Sequence, residues 1–197
     1  GINGNTVANF TLSNSTITNV GNAADEDNIH FYNMSGASAI TNSTLTRTSG
    51  GGDDNLNLQT QSGNLDLTIS GGSAVGTAGG VNQLGSGYLF GIRGTTVANI
   101  NIDGASSTNN FSGGIVADVF DSATMNLRVN NTISAENNDQ LSVSAGDNSN
   151  VDLEATGNTL TSSDPEDKVA VSLLGSAFDN GFVFDVRFFD NDITVGG

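Results

Sequence analysis

Cysteine and tryptophan are absent from this chain, proline and histidine occur once each, and lysine and arginine together number 5 among 197 residues. Each shortage excludes something. Without cysteine there is no disulfide framework, so stability must come from stacked hydrogen bonds and a continuous core. With 21 acidic residues against 5 basic ones the formal net charge is −16. Such a surface repels phosphates, which excludes nucleic acid as a partner, and it avoids anionic lipid. No apolar run approaches the roughly 20 residues that span a bilayer, so membrane insertion is not expected. Hydrophobic residues make up 36%. Low hydrophobicity with high charge is also the signature of disorder. The near-absence of proline and the spacing of Val, Ile, Leu and Phe two apart argue instead for strands.

What is present is a repeat. Asn14-Ser15-Thr16-Ile17-Thr18 recurs as Asn42-Ser43-Thr44-Leu45-Thr46, Asn131-Thr132-Ile133-Ser134, Asn158-Thr159-Leu160-Thr161 and Asn191-Asp192-Ile193-Thr194. Ile17 to Leu45 is 28 positions and Ile133 to Leu160 is 27. A polar corner followed by apolar residues gives a second register: Ile29 to Leu56 is 27, Leu89 to Val116 is 27 and Val116 to Leu141 is 25. A third element reads Leu65-Asp66-Leu67-Thr68-Ile69, Met125-Asn126-Leu127-Arg128-Val129 and Phe182-Val183-Phe184-Asp185-Val186. Periods of roughly 20–50 residues mark solenoids or propellers, and strands this short with one turn each suit three-sided coils. The expected fold is all-β: a right-handed parallel β-helix, or β-solenoid, of about seven coils of about 27 residues. Residues 1–197 form one segment of it. Ile17, Leu45, Ile133, Leu160 and Ile193 are expected in one inward column, with asparagines laddered at the corners. Val75 to Gly87 and the stretch around Pro165 are expected to bulge as loops.

The alternation of a Gly/Asp-apolar-x-apolar corner with Asn-x-Thr-apolar-Thr resembles the Asn- and Gly-rich β-helix repeats of bacterial cell-surface proteins, the autotransporter- and adhesin-like passengers. The resemblance covers nearly the whole chain, the middle coils fitting least well. It implies architecture more than function, since stalks, adhesins and polysaccharide-cleaving enzymes share the scaffold.

Chemistry-bearing residues are few. His30, between Ile29 and Phe31, is expected on the outer face as a solvated side chain rather than a base. Asp53 and Asp54 with His30 one coil away form a carboxylate pair with a helper. Yet Arg47, Arg93, Arg128, Lys168 and Arg187, the only cations able to stabilise a developing anion, are scattered in sequence. No catalytic residue is therefore assigned. Asp25, Asp27, Asp53, Asp54 and Asp167 all precede the first strand of a coil. Stacking brings such corners together, where they either splay into water or share a calcium ion, the one candidate cofactor. The paired Thr rows resemble ice-binding faces, and Thr is equally at home on any exposed strand.

These readings give a non-enzymatic structural or adhesive segment, extracellular or at the cell surface. Its expected partners are a host surface, a carbohydrate or a matrix component. A polysaccharide-cleaving or ice-binding solenoid is the alternative. The chain opens on Gly1 rather than Met and shows no capping helix. The expectation is a segment of a longer protein, or one that stacks end to end with its own copies.

Overall fold

A computed structural model describes residues 1–18, 20, 26–47, 54–76, 85–163, 169–175 and 181–195. Asp25, Asp53, Pro165, Asp167 and most of the expected loop between Val75 and Gly87 lie outside the described residues. Among the described residues there is no helix. The strands form three sheets, each seven strands deep and parallel throughout. The first contains Ile2–Asn5, Ile29–Tyr32, Leu56–Thr60, Ser86–Ile92, Gly113–Val119, Asp139–Ala145 and Val169–Gly175. The second contains Thr11–Ser13, Gly36–Thr41, Asn64–Ser70, Val97–Asp103, Thr124–Asn130, Asn150–Thr156 and Val183–Phe189. The third contains Thr16–Thr18, Thr44–Thr46, Ser73–Val75, Ser106–Thr108, Ile133–Ala135, Thr159–Ser162 and Asp192–Val195. The chain visits the three in turn, so each circuit adds one rung to every sheet. This is a β-solenoid.

The corner between the second and third sheets shows why these residues form it. Asn14, Asn42, Asn131 and Asp190 have φ between 48° and 52°, except that Gly71, Gly104 and Gly157 take the same place at 58° to 66°. Asn, Asp and Gly are the residues that tolerate this left-handed backbone. Each rung is then bonded to the next: the Asn14 amide donates to the Thr41 carbonyl at 3.0 Å, Asn42 to Ser70 at 2.9 Å and Gly71 to Asp103 at 3.0 Å. Gly104, Asn131 and Gly157 continue the series.

Alternate side chains fill the bore. Ile29, Leu56, Tyr88, Ile115 and Leu141 stack at 0–2% exposure, and so do Phe31, Leu58, Phe90, Ala117 and Val143. Two registers differ from the sequence expectation. Val116 pairs with Ser142, not Leu141, because Leu89 and Val116 face outward while Tyr88 and Ile115 face in. In the third sheet the inward column is Ile17, Leu45, Ala74, Ser107, Ser134, Leu160 and Ile193. Ile133 pairs with Ser106 and Thr159 and points outward, 49% exposed. The corner residue Asn131 sits one position earlier in the local pattern than Asn158 does. Aligning the two asparagines shifts the strand by one residue, and one residue reverses every side chain.

The polar bore residue Ser134 is tolerated because its hydroxyl donates to the Gln140 carbonyl at 2.8 Å. Buried amides are bonded to one another likewise, although Asn28 Oδ1, at the start of the series, has no partner. Asn28 Nδ2 donates to Asn55 Oδ1 at 2.7 Å, Asn55 to Asn110 at 3.0 Å and Asn110 to Asn137 at 3.0 Å. All four are at most 1% exposed. The ladder changes elements midway. Gly87 and Gly114 stand in register with Asn55, and Asn110 and Asn137 reach in from the preceding turn. A Cβ on Gly87 would lie 2.0 Å from Ser107 Oγ, and one on Gly114 2.6 Å from Asn137 Nδ2. Stacking thins at the last rung, where inward Ile193 is 48% exposed although Leu160 above it is fully buried.

The two registers make opposite statements about one residue. Leu160→Asp should lower stability by more than about 3 kcal/mol, a melting shift of about 6 °C or more, because it buries an unpaired carboxylate. Ile133→Asp should stay within about 1 kcal/mol of the parent, since its side chain is already in water. Thermal unfolding followed by circular dichroism separates the cases. Equal damage from both substitutions would show that Ile133 faces the bore.

Candidate functional site

Three outward faces carry the polar chemistry. On the second sheet one column runs Asp66, Asn99, Asn126, Asp152, Asp185, and its neighbour runs Thr68, Asn101, Arg128, Glu154, Arg187. Asn126 Nδ2 donates to Asn99 Oδ1 at 2.7 Å, and Asn99 Nδ2 to Asp66 Oδ1 at 2.6 Å. These side chains line a shallow depression of about 330 Å³. Below it the charges close on one another. Arg128 reaches Asp152 at 3.0 Å, and Arg187 contacts Asp152, Glu154 at 3.4 Å and Asp185 at 2.8 Å. Arg187 is held more firmly protonated by Asp152, Asp185 and Glu154, which together outweigh its desolvation. Two cations distant in sequence, Arg128 and Arg187, are therefore neighbours in space. The signal was available only as the 26- and 33-residue steps from Arg128 to Glu154 to Arg187. The other described cations are separate: Arg47 is buried, and Arg93 lies 4.9 Å over the Phe120 ring.

The third sheet carries the threonine rows. One reads Thr16, Thr44, Ser73, Ser106, Ile133, Thr159, Asp192 and the other Thr18, Thr46, Val75, Thr108, Ala135, Thr161, Thr194. Each is interrupted, the first by Ile133 and Asp192 and the second by Val75 and Ala135.

At the corner entering the first sheet, Asp27 and Asp54 sit at 9% and 7% exposure rather than splayed into water. Each carboxylate caps the next rung: Asp27 Oδ1 accepts the Asp54 amide at 2.7 Å, and Asp54 Oδ1 accepts the Ser86 amide at 2.6 Å. Asp27 Oδ2 lies 2.8 Å from His30 Nδ1, and the Asn57 side chain also bonds this carboxylate. His30 is thus on the outer face, but anchored to Asp27 rather than paired with Asp54. Of the five candidate calcium ligands the structure brings Asp27 and Asp54 together, each with one oxygen committed to a backbone N–H. Asp25, Asp53 and Asp167 lie outside the described residues, among which no group of three or more carboxylate or imidazole side chains is disposed to hold a metal. Burial pushes the Asp27 carboxyl above its ordinary value of 3.8, against the Asp54 amide and the charges of His30 and Arg47.

Along the first sheet this corner supports two outward columns. Asn3, His30, Asn57 and Leu89 form one, and Asn5, Tyr32, Gln59 and Gly91 the other. Gln59 Nε2 donates to Asn57 Oδ1 at 3.0 Å, and the His30 and Tyr32 rings lie 4.5 Å apart at 35°.

The raised Asp27 carboxyl has a consequence for stability. Between 3.8 and its higher folded value the unfolded chain releases this proton first, so stability falls as pH rises through that window and is flat above it. Asp27→Asn removes this contribution. The stability difference, parent minus variant, should shrink across the acid range above 3.8, as read from denaturant unfolding at a series of pH values. A difference that grows with pH would mean that the carboxylate's partners outweigh its desolvation.

The chain matches no family model, no curated protein and no solved structure; what its faces can do follows from their own chemistry.

Proposed function

We propose that this chain is a structural or adhesive β-solenoid segment of a secreted or cell-surface protein, which presents a lateral face rather than turning over a substrate. The observation that carries this reading is how the described charged groups are employed. Asp27 and Asp54 hold backbone amides, and Arg128 and Arg187 are closed into pairs with Asp152, Glu154 and Asp185. A cleaving site needs an acid or base poised toward substrate and a cation able to meet developing charge. Here those groups serve the stack. The acidic, cysteine-free composition suits a rod that stays soluble and needs no redox chemistry to fold.

Two measurements test this. Antiserum raised against the chain should label intact, unpermeabilised cells of the source organism; labelling confined to permeabilised cells contradicts the exterior location. Incubation with neutral and acidic polysaccharides should release no reducing or unsaturated ends. Release that disappears in Asp66→Asn, which alters the depression beside Arg128, would establish a cleaving enzyme instead.

A further inference from the structure

Tyr32 is 47% exposed on the outer face of the first sheet, and its neighbours on the adjoining rungs of its own column are both amides. Asn5 precedes it and Gln59 follows it in the same column, with Asn57 diagonal to it. We infer that the strip Asn5–Tyr32–Gln59, with Asn57 and His30 beside it, is a binding platform for a neutral oligosaccharide. This rests on the adhesive reading and names the ligand class and the face that it would use.

A tyrosine ring offers a rigid apolar surface at small entropic cost, suited to the C–H face of a pyranose. Amide side chains donate and accept at once, which matches vicinal hydroxyl groups that also do both. Adjacent rungs stand about 4.8 Å apart, so an extended saccharide laid across the rungs meets Asn5, Tyr32 and Gln59 in succession. The strip positions carry no charge, and the chain's net charge of −16 disfavours an anionic glycan. An apolar peptide would want a pocket rather than one ring among amides.

The platform is also held in place before any ligand arrives. Buried Asp27 holds both His30 and Asn57, Asn57 holds Gln59, and His30 stacks on Tyr32. Gly91 leaves room beside it: a Cβ there would lie 2.0 Å from Gln59 Oε1, so a larger residue would displace the Gln59 amide from this position. Preorganisation of this kind reduces the ordering cost of binding. The Arg128–Asp152–Arg187 face lacks this character, its groups being saturated by one another.

The chain has no tryptophan and two tyrosines, of which Tyr88 is 2% exposed. Tyrosine difference absorption therefore reports chiefly on Tyr32. The intact chain would be titrated with cellohexaose, maltohexaose, laminarihexaose and mannohexaose, with hexagalacturonate as the charged control. At least one neutral hexasaccharide should perturb the Tyr32 signal saturably with Kd about 1 mM or tighter. Because Tyr32→Ala removes the reporting chromophore, affinities for the variants would be read by calorimetry. Tyr32→Ala should weaken binding at least about ten-fold, Gln59→Ala by several-fold, and Tyr32→Phe should keep affinity within about three-fold. Unchanged far-UV dichroism checks that each variant is folded. No saturable binding by any neutral probe, affinity unchanged in Tyr32→Ala, or preference for hexagalacturonate would each overturn the platform. A chain that labels on intact cells yet binds no saccharide sinks this inference alone. One that binds saccharide yet stays inside cells sinks the exterior reading alone.

Discussion

Rung-on-rung backbone hydrogen bonding is the constraint from which the rest follows. Once each strand pairs in parallel with its equivalents above and below, every side chain lies about 4.8 Å from the side chains at the same position in the adjacent coils. A corner that needs a left-handed residue needs one in all seven coils, and Asn, Gly or Asp fills each place. A buried amide must find its partner in the next rung, which is what Asn28, Asn55, Asn110 and Asn137 do. Unsatisfied, each would cost about 1–3 kcal/mol. Like charges on neighbouring rungs would repel, and the column Asp66, Asn99, Asn126, Asp152, Asp185 separates its acids with amides until Arg128 and Arg187 stand close enough to compensate the last two.

The architecture was readable because period-two apolar spacing and a repeat near 27 residues together leave few alternatives to a three-sided coil. Register was readable only where a motif recurs unchanged. Ile17 with Leu45 and Leu160 with Ile193 were placed correctly. Ile133 was not, because asparagine occupies two adjacent positions at that corner and a motif cannot say which. The change of element within the Asn ladder was hidden for a related reason. The glycines that admit Asn110 and Asn137 mark a missing side chain, and what fills the gap comes from another part of the coil.

The polar faces were less legible than the fold. Residues 128, 154 and 187 have no sequence relation until the register is known, so the cations looked scattered. His30 was rightly placed outside, but its anchoring to Asp27 depends on a corner whose carboxylates turn inward to cap amides. That inward turn gives one residue two tasks: Asp27 caps the next rung and steadies the face on which Tyr32 stands. A rod of this kind can therefore offer an ordered surface without a pocket.

Because the chain is free of cysteine, register can be measured directly by introducing pairs of cysteines. Parallel neighbours at about 4.8 Å fall within the 4.4–6.8 Å between Cα atoms that a disulfide accepts. Ser106 and Ile133 are such neighbours, both facing outward. Ser106→Cys with Ile133→Cys should oxidise to an internal disulfide under mild conditions in the folded protein. Ser107→Cys with Ile133→Cys should not, since those side chains point to opposite faces of the sheet. Efficient cross-linking of the second pair and not the first would contradict the stacking on which the whole account is built.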